Sequence, residues 1–202
     1  MLHRTAALLL ALSLLPAAWA ADPAKDKATW LDMRASELIG KHVASPEGKS
    51  LGKVEDLILD MKGGHIPHVV LSFGGIADVG DKLFVFPVNA FTRDEYRDRI
   101  ILGAEQKQLA ESAGFNRANW PFQPPLQRAS ELRGKNVKDA NGKAAGEIED
   151  VVVNLGSGKV QSVIFAQDGR KGDEPKLALP LTSFSMPAER GGEVRLDPAA
   201  RR

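Results

Sequence analysis

The fold is decided by a stretch of sequence that occurs twice, first as Arg34-Ala35-Ser36-Glu37-Leu38-Ile39-Gly40-Lys41-His42-Val43 and again as Arg128-Ala129-Ser130-Glu131-Leu132-Arg133-Gly134-Lys135-Asn136-Val137. The two stretches are identical at eight of ten positions and lie 94 residues apart. Chance does not produce such a match in a chain of 202 residues. The sequence therefore contains a duplication.

The duplication continues downstream of this stretch. Glu55-Asp56 corresponds to Glu149-Asp150 at the same spacing, and after a slip of one residue the segment 86–91 corresponds to 179–184. A solenoid repeat is roughly 20–50 residues long, which is much shorter than this period. The sequence therefore predicts two copies of one domain.

The boundaries of the two copies follow from helix and linker signals between them. Residues 104–112 are rich in helix-forming side chains, and Gly114 ends the pattern, so we expect a short helix after the first copy. The segment 119–125 contains three prolines, which exclude a regular helix and predict a semi-rigid connector. We therefore place the first copy at 31–113, the linker at 114–125 and the second copy at 126–202.

The linker carries two aromatic residues, Trp120 and Phe122. They are predicted to dock onto one of the copies, because an exposed apolar linker is an aggregation hazard. The alternative is that they form a site for a partner protein.

Within each copy the pattern is that of short strands joined by turns, so the fold is predicted to be mainly β. Gly48-Lys49 and Asn141-Gly142 lie between apolar segments and indicate hairpins. The predicted strands cover 54–59, 66–73, 82–87 and 99–102 in the first copy, and 148–153, 160–166, 176–180 and 193–196 in the second. About five short strands in so small a domain favour a small closed or half-open β-barrel.

The N-terminus has the three-part layout of a secretory signal peptide. His3 and Arg4 precede an apolar run over 6–15, and small residues follow at Ala18 and Ala20. The run is too short for a helix that crosses a bilayer, which needs roughly 20 apolar residues. We therefore expect a signal peptide over 1–20, cleavage between Ala20 and Ala21, and a polar segment over 21–30. An uncleaved membrane anchor is the alternative.

Composition limits the chemistry of the chain. There is no cysteine, so disulfides, thiolate metal sites and thiol nucleophiles are excluded. The 27 basic and 26 acidic residues nearly balance, and this gives no basic stripe for nucleic acid.

The repeated segments resemble the PRC-barrel family, in which a Gly-Lys-x-Val stretch is followed by glycines, a Val-x-Asp step and an apolar strand. The residues that carry the resemblance are Gly40, Val43, Gly48, Gly52, Val54, Asp56 and Asp60 in the first copy, and Gly134, Val137, Gly142, Gly146, Ile148 and Asp150 in the second. The resemblance implies two small SH3-like β-barrels in tandem. It also implies a docking role, because the known settings of this module are the H subunit of photosynthetic reaction centres and the ribosome maturation factors.

One cluster suggests a metal site, with His65 and His68 close to Asp60. Imidazole and carboxylate groups suit zinc, nickel, copper or iron. However, residues three apart on a strand point to opposite faces, so the two histidines would converge only at a bulge or turn. The corresponding residues of the second copy are Lys159 and Ser162. We therefore assign no metal ligand and expect ordinary surface histidines.

The repeated Glu-Asp pairs could supply an acid and a base. Adjacent residues on a strand point apart, so we expect instead that one carboxylate accepts backbone hydrogen bonds at a bulge or turn while the other is solvated. No phosphate loop, nucleophile elbow or zincin motif occurs. We therefore predict no catalytic residue and no cofactor.

Together these observations predict a non-enzymatic, periplasmic or secreted protein that binds an envelope protein or complex, with self-association as a further form of assembly. Two other functions stay open: a periplasmic metal- or small-ligand-binding protein, and a membrane-tethered subunit resembling the reaction-centre H subunit. The expected contact regions are the loops 74–81 and 167–174 and the groove between the copies.

Overall fold

The computed structural model describes residues 32–74, 82–94, 99–167, 176–187 and 192–198. The fold is mainly β, as predicted. Its strands are β1 Asp32–Arg34, β2 His42–Ala44, β3 Ser50–Asp60, β4 His65–Phe73, β5 Lys82–Pro87, β6 Phe91–Asp94, β7 Arg99–Leu102, β8 Leu126–Arg128, β9 Lys135–Lys138, β10 Ala144–Asn154, β11 Lys159–Gln167, β12 Leu177–Leu179, β13 Phe184–Ser185 and β14 Val194–Leu196.

Helix is the minor element. The described helices are α1 Ala35–Leu38, α2 Gln106–Glu111 and α3 Ala129–Leu132, with short 3-10 turns η1 Val88–Ala90 and η2 Leu181–Ser183. Helix α2 confirms the helix expected after the first copy. The two four-residue helices α1 and α3 come from the repeated Ala-Ser-Glu-Leu sequence, which the strand pattern did not mark as helical.

Each copy arranges six strands in the same order. The path runs β6-β7-β2-β3-β4-β5 in the first copy and β13-β14-β9-β10-β11-β12 in the second. The two PRC-type units are therefore in tandem, as expected, but the sheet is not closed: among the described strands, the main path ends at β6 and β13.

A bulge and a glycine bend each long central strand. In β3 the register shifts between Val54 and Asp56, and in β10 it shifts between Ile148 and Asp150. Gly52 has φ +118°, and a Cβ built there would lie 1.9 Å from the carbonyl oxygen of Ser72. Only glycine allows β4 to approach this closely, which is why glycine stands at this position of the motif.

The two copies exchange their first strands. Strand β1 of the first copy pairs with β10 of the second, and β8 of the second copy pairs with β3 of the first. A second link joins β4 and β11, where the N–H of Ile66 donates to the oxygen of Gly158 at 2.7 Å and the N–H of Val160 donates to the oxygen of Gly64 at 3.0 Å. These contacts are reciprocal, like those of a symmetric dimer.

One hydrophobic core runs through both copies. Leu38 of α1 and Leu132 of α3 are both fully buried in it, together with Leu57 of β3 and Val151 of β10. The two helices contact each other at the junction. Each Å² of apolar surface buried in this core contributes about 25 cal/mol of stability. Because both copies share the core, this burial stabilises them as one unit.

The linker packs against the outer face of the first copy. Phe115, Trp120 and Phe122 contact a small second core formed by Ile58, Val70 and Leu83. The predicted docking of Trp120 and Phe122 is confirmed.

No helix in the described part of the chain is both long and apolar enough to span a membrane. The predicted signal peptide with its cleavage position at Ala20 and Ala21 lies outside the described residues, and so do 75–81 and 168–174 of the two expected contact loops.

Candidate functional site at the junction of the two copies

The junction is fixed by a buried carboxylate of the first copy. Asp56 is 2% exposed, and it accepts hydrogen bonds from the backbone N–H of Leu57 at 2.9 Å and of Ser130 at 3.2 Å. The Ser130 hydroxyl donates to the second carboxylate oxygen. Since Ser130 belongs to α3, this carboxylate of the first copy is bound by a helix of the second.

The same arrangement recurs with the copies interchanged. Asp150 is 5% exposed and accepts hydrogen bonds from the N–H of Val151 at 2.8 Å and of Ser36 at 3.3 Å, and from the Ser36 hydroxyl. Each Ala-Ser-Glu-Leu helix therefore binds the central strand of the opposite copy through its serine.

Burial acts on the first of these carboxylates. It raises the pKa of Asp56, because removal from water disfavours the charged form. The hydrogen bonds from Ser130 and Leu57 and the charge of Arg128 oppose this shift. Asp56 and Asp150 thus have their hydrogen-bonding capacity committed to the junction, and this agrees with the expectation that one member of each Glu-Asp pair binds backbone at a bulge.

The glutamates of the two pairs point the other way and form ion pairs. Glu55 accepts two hydrogen bonds from Arg117 of the linker, both at 2.7 Å, and Glu149 accepts one from the Lys176 ammonium. The sequence prediction that these two glutamates are solvated is therefore wrong, because each binds a basic side chain. The other oxygen of Glu149 is buried, and it has no hydrogen-bond partner in the described part of the protein.

A cleft of about 820 Å³ opens beside this junction. Its walls come from the β3–β4 turn of the first copy, the end of the linker, the start of β11 and the segment around η2 and β13. The lining residues are Met61, Lys62, Gly63, Gly64, Pro124, Pro125, Val160, Gln161, Pro180, Leu181, Thr182, Phe184, Met186 and Pro187.

The chemistry of the cleft is mostly apolar. Four prolines and two methionines contribute to the lining, and Lys62 is the one charged side chain among the described residues that line it. Prolines lack an N–H and present rigid apolar surface, while methionine adapts its shape to an irregular neighbour. The cleft is therefore suited to an apolar group with few charges.

The residues suggested as metal ligands do not converge. His65 Nδ1 lies 3.7 Å from an oxygen of Asp60. The ring of His68 instead packs against Phe122, with 5.8 Å between centroids. In the part of the chain that the structure describes, no group of three or more histidine, aspartate or glutamate side chains could hold an ion.

The family comparison agrees with this architecture. The model of the PRC-barrel domain family matches residues 32–108 and 125–198. The chain belongs to the PRC-barrel domain family. A comparison with curated proteins finds no match to this chain.

The PRC-barrel motif residues serve the fold of each copy. Gly40, Gly48, Gly134 and Gly142 have positive φ at turns, and Gly52 and Gly146 allow close strand approach. Val43, Val54, Val137 and Ile148 are buried in the core. Asp60 accepts the N–H groups of Lys62 and Gly63, which shapes the turn at the cleft. The motif therefore builds the barrels and their junction.

Sequence reasoning did not identify the serines that join the two PRC-barrel copies. Ser36 and Ser130 were visible as identical residues of the repeat, and this repetition was the available signal. Their partners lie 114 and 74 residues away, so only the tertiary structure pairs them.

Proposed function

We propose that the protein is an exported, non-enzymatic binding module of the cell envelope and that it holds a partner protein in the cleft between its two copies. The main support for this proposal is the cleft itself, which is open, mainly apolar and built from elements of both copies.

The walls of the cleft favour a binding role. They are rigid, since two strands, a 3-10 turn and a proline segment form them, so little conformational entropy is lost when a partner binds. A protein interface has an apolar centre with a polar rim. Here the apolar side chains of Leu181 and Met186 are accompanied by Lys62, Gln161 and Thr182.

A non-enzymatic role is supported by how the acidic groups are used. The two buried aspartates bind the serines of the junction, and the two glutamates pair with Arg117 and Lys176. A general acid or base must reach a substrate, and these carboxylates are engaged in holding the fold.

Export is supported by the leader-like sequence over 1–20, and the chain contains no cysteine. The stability of the folded part then comes from the shared core of the two copies and does not depend on the redox state of the compartment.

Crosslinking of a tagged full-length chain in intact cells, followed by mass spectrometry, tests the proposal. We expect a chain that begins at Ala21, together with one reproducible envelope partner. Thr182→Arg places a charge at the exposed rim of the cleft and should abolish the crosslink. Thr92→Arg, at an exposed position on β6 away from the cleft, is the matched control and should leave it intact.

Three results would count against the proposal. A retained leader would favour a tethered subunit. Loss of the crosslink in both arginine variants would place the partner elsewhere or indicate a folding defect. If no protein partner is found and a small molecule is recovered instead, the result would indicate that the cleft binds a small ligand.

A further inference from the structure

The linker covers the outer face of the first copy through backbone and charge contacts. The N–H of Leu83 donates to the oxygen of Phe115 at 3.0 Å, and the N–H of Phe115 donates back at the same distance. These bonds pair the free edge of β5. Arg117 then binds Glu55 with two hydrogen bonds, the geometry in which guanidinium groups bind carboxylates most strongly.

Aromatic rings complete this cover. Trp120 and Phe122 lie against Ile58 and Val70, which are fully buried as a result. The guanidinium of Arg128 stacks on Trp120 at 4.4 Å from the ring centroid. The linker is therefore bound like an extended peptide, by a strand edge, a carboxylate, an apolar floor and a stacked arginine.

The second copy, together with strand β1 that pairs with it, has a counterpart for each of these features. The register fixes the correspondence of the edges, because Phe84 pairs with Leu71 in the first copy and Leu177 pairs with Phe165 in the second. The counterparts of Glu55, Ile58, Val70, Val85 and Arg128 are Glu149, Val152, Ile164, Ala178 and Arg34. We call these five residues of the second set the open face.

Among the described residues, no segment covers the open face as the linker covers the first copy. Ile58 and Val70 are 0% exposed, whereas Ile164 is 8% exposed and Val152 is partly exposed. Ala178 and Arg34 are exposed. In the described part of the chain, β12 pairs with β11 alone.

The charge of Glu149 points to what this face binds. One of its oxygens accepts the Lys176 ammonium, while the other is buried without a hydrogen-bond partner among the described residues. Glu55 by contrast has both oxygens bound by Arg117. Since Lys176 is about half exposed, it can move aside for a guanidinium that binds both oxygens.

The segment that precedes β1 does not repeat the aromatic and arginine residues of the linker at the same spacing. The linker residues 115–122 precede β8 by the same spacing as residues 21–28 precede β1, and the latter read Ala-Asp-Pro-Ala-Lys-Asp-Lys-Ala. Arg117, Trp120 and Phe122 thus have no counterpart at the same spacing before β1, and Trp30 stands where the linker has Pro124.

We propose that the open face binds an extended segment of a partner protein that bears an aromatic side chain and an arginine. The segment adds to the edge of β12, its arginine binds Glu149, and its aromatic ring stacks between Arg34 and the floor of Val152 and Ile164. The open face shares no residue with the cleft, so this site is independent of the cleft's occupant.

The probe for this site is a fluorescein-labelled peptide with the sequence of residues 113–124, added to the full chain and followed by fluorescence anisotropy. We expect saturable binding that Glu149→Lys weakens about tenfold or more, because a charge-assisted contact is replaced by repulsion. Glu147→Lys changes an exposed residue two positions away and serves as the matched control, with unchanged affinity. A peptide with Arg117→Glu and Trp120→Ala should not bind.

Three outcomes overturn the proposal. The first is the absence of saturable binding. The second is binding that Glu55→Lys abolishes and Glu149→Lys leaves intact, since the peptide then exchanges with the linker on the first copy. The third is a chain that sediments as a dimer and becomes monomeric with Glu149→Lys, because a second copy of this chain would then cover the face.

Discussion

The hydroxyl of Ser130, in the second copy, donates a hydrogen bond to the carboxylate of Asp56, in the first. The equivalent hydrogen bond, with the copies interchanged, joins the hydroxyl of Ser36 to the carboxylate of Asp150. Because both aspartates are buried, each copy completes the polar interior of the other, and the two PRC-barrels are predicted to unfold as one cooperative unit.

Ser130→Ala should lower the free energy of unfolding by about 1–3 kcal/mol, because it removes a hydrogen bond to a buried charged group. Urea unfolding followed by circular dichroism measures the change. Ser50→Ala, at an exposed position on β3, is the control and should stay within about 0.5 kcal/mol of the wild type. Equal effects of both substitutions would show that the contact does not stabilise the junction.

The raised pKa of Asp56 predicts a pH dependence. Since the folded protein holds this proton more tightly than the unfolded chain, the cost of the buried charge is present above the folded pKa and disappears below the unfolded value. The free energy of unfolding of the wild type minus that of Asp56→Asn should therefore rise as the pH is lowered from 7 to about 4. Unfolding in urea at several pH values gives the difference, and a flat or falling difference would contradict the burial argument.

Gly52→Ala and Gly146→Ala should each destabilise the protein by about 2–5 kcal/mol. A Cβ at these positions would lie 1.9 Å from the Ser72 oxygen and 2.0 Å from the Ala166 oxygen, so a strand must shift. Gly142→Ala separates the effect of backbone strain from that of steric overlap. Gly142 has φ +79°, but a Cβ built there would meet no atom within 4 Å. This substitution should cost only the backbone strain of about 1–2 kcal/mol. Thermal unfolding midpoints rank the stabilities of the three variants. Equal decreases in the midpoint would show that the close approach of the neighbouring strand at Gly52 and Gly146 does not affect stability.

Trp120→Ala should destabilise the first copy by about 2–3 kcal/mol, because the ring covers Ile58 and Val70 and stacks on Arg128. Hydrogen exchange should also show faster exchange at the Leu83 amide, which the linker holds through Phe115. Asn119→Ala, an exposed neighbour, controls for changes in the linker itself. Unchanged exchange at Leu83 would mean that the edge pairing persists without the aromatic cover.

Much of the local structure was predictable from the sequence. The apolar runs at 54–59 and 148–153 predicted the cores of β3 and β10, which extend to Ser50–Asp60 and Ala144–Asn154. The ends were missed because Gly52 and Gly146 weaken a strand signal, while here they continue the strand through a close approach. The docking of Trp120 and Phe122 was predictable because water disfavours exposed aromatic surface.

The junction was not predictable in the same way. Strands β1 and β8 are three residues long, and α1 and α3 are four residues long, which is too short for any periodicity to identify. Their stability comes from partners in the other copy, such as Val153 beside Met33 and Leu59 beside Gln127. The hydrophobic pattern of a strand predicts which face is buried and does not predict which strand covers it.

The sequence by itself determined the duplication, the strand-and-turn pattern of each copy and the membership of the chain in a family of small β-barrels, because these depend on local propensity and on residue identity. Tertiary structure alone decided that the copies exchange their first strands, that Ser36 and Ser130 bind aspartates of the opposite copy, and that a cleft and an open face remain beside the junction. The physical reason is that these contacts join residues far apart in the chain, and their free energy depends on how the two folded copies meet.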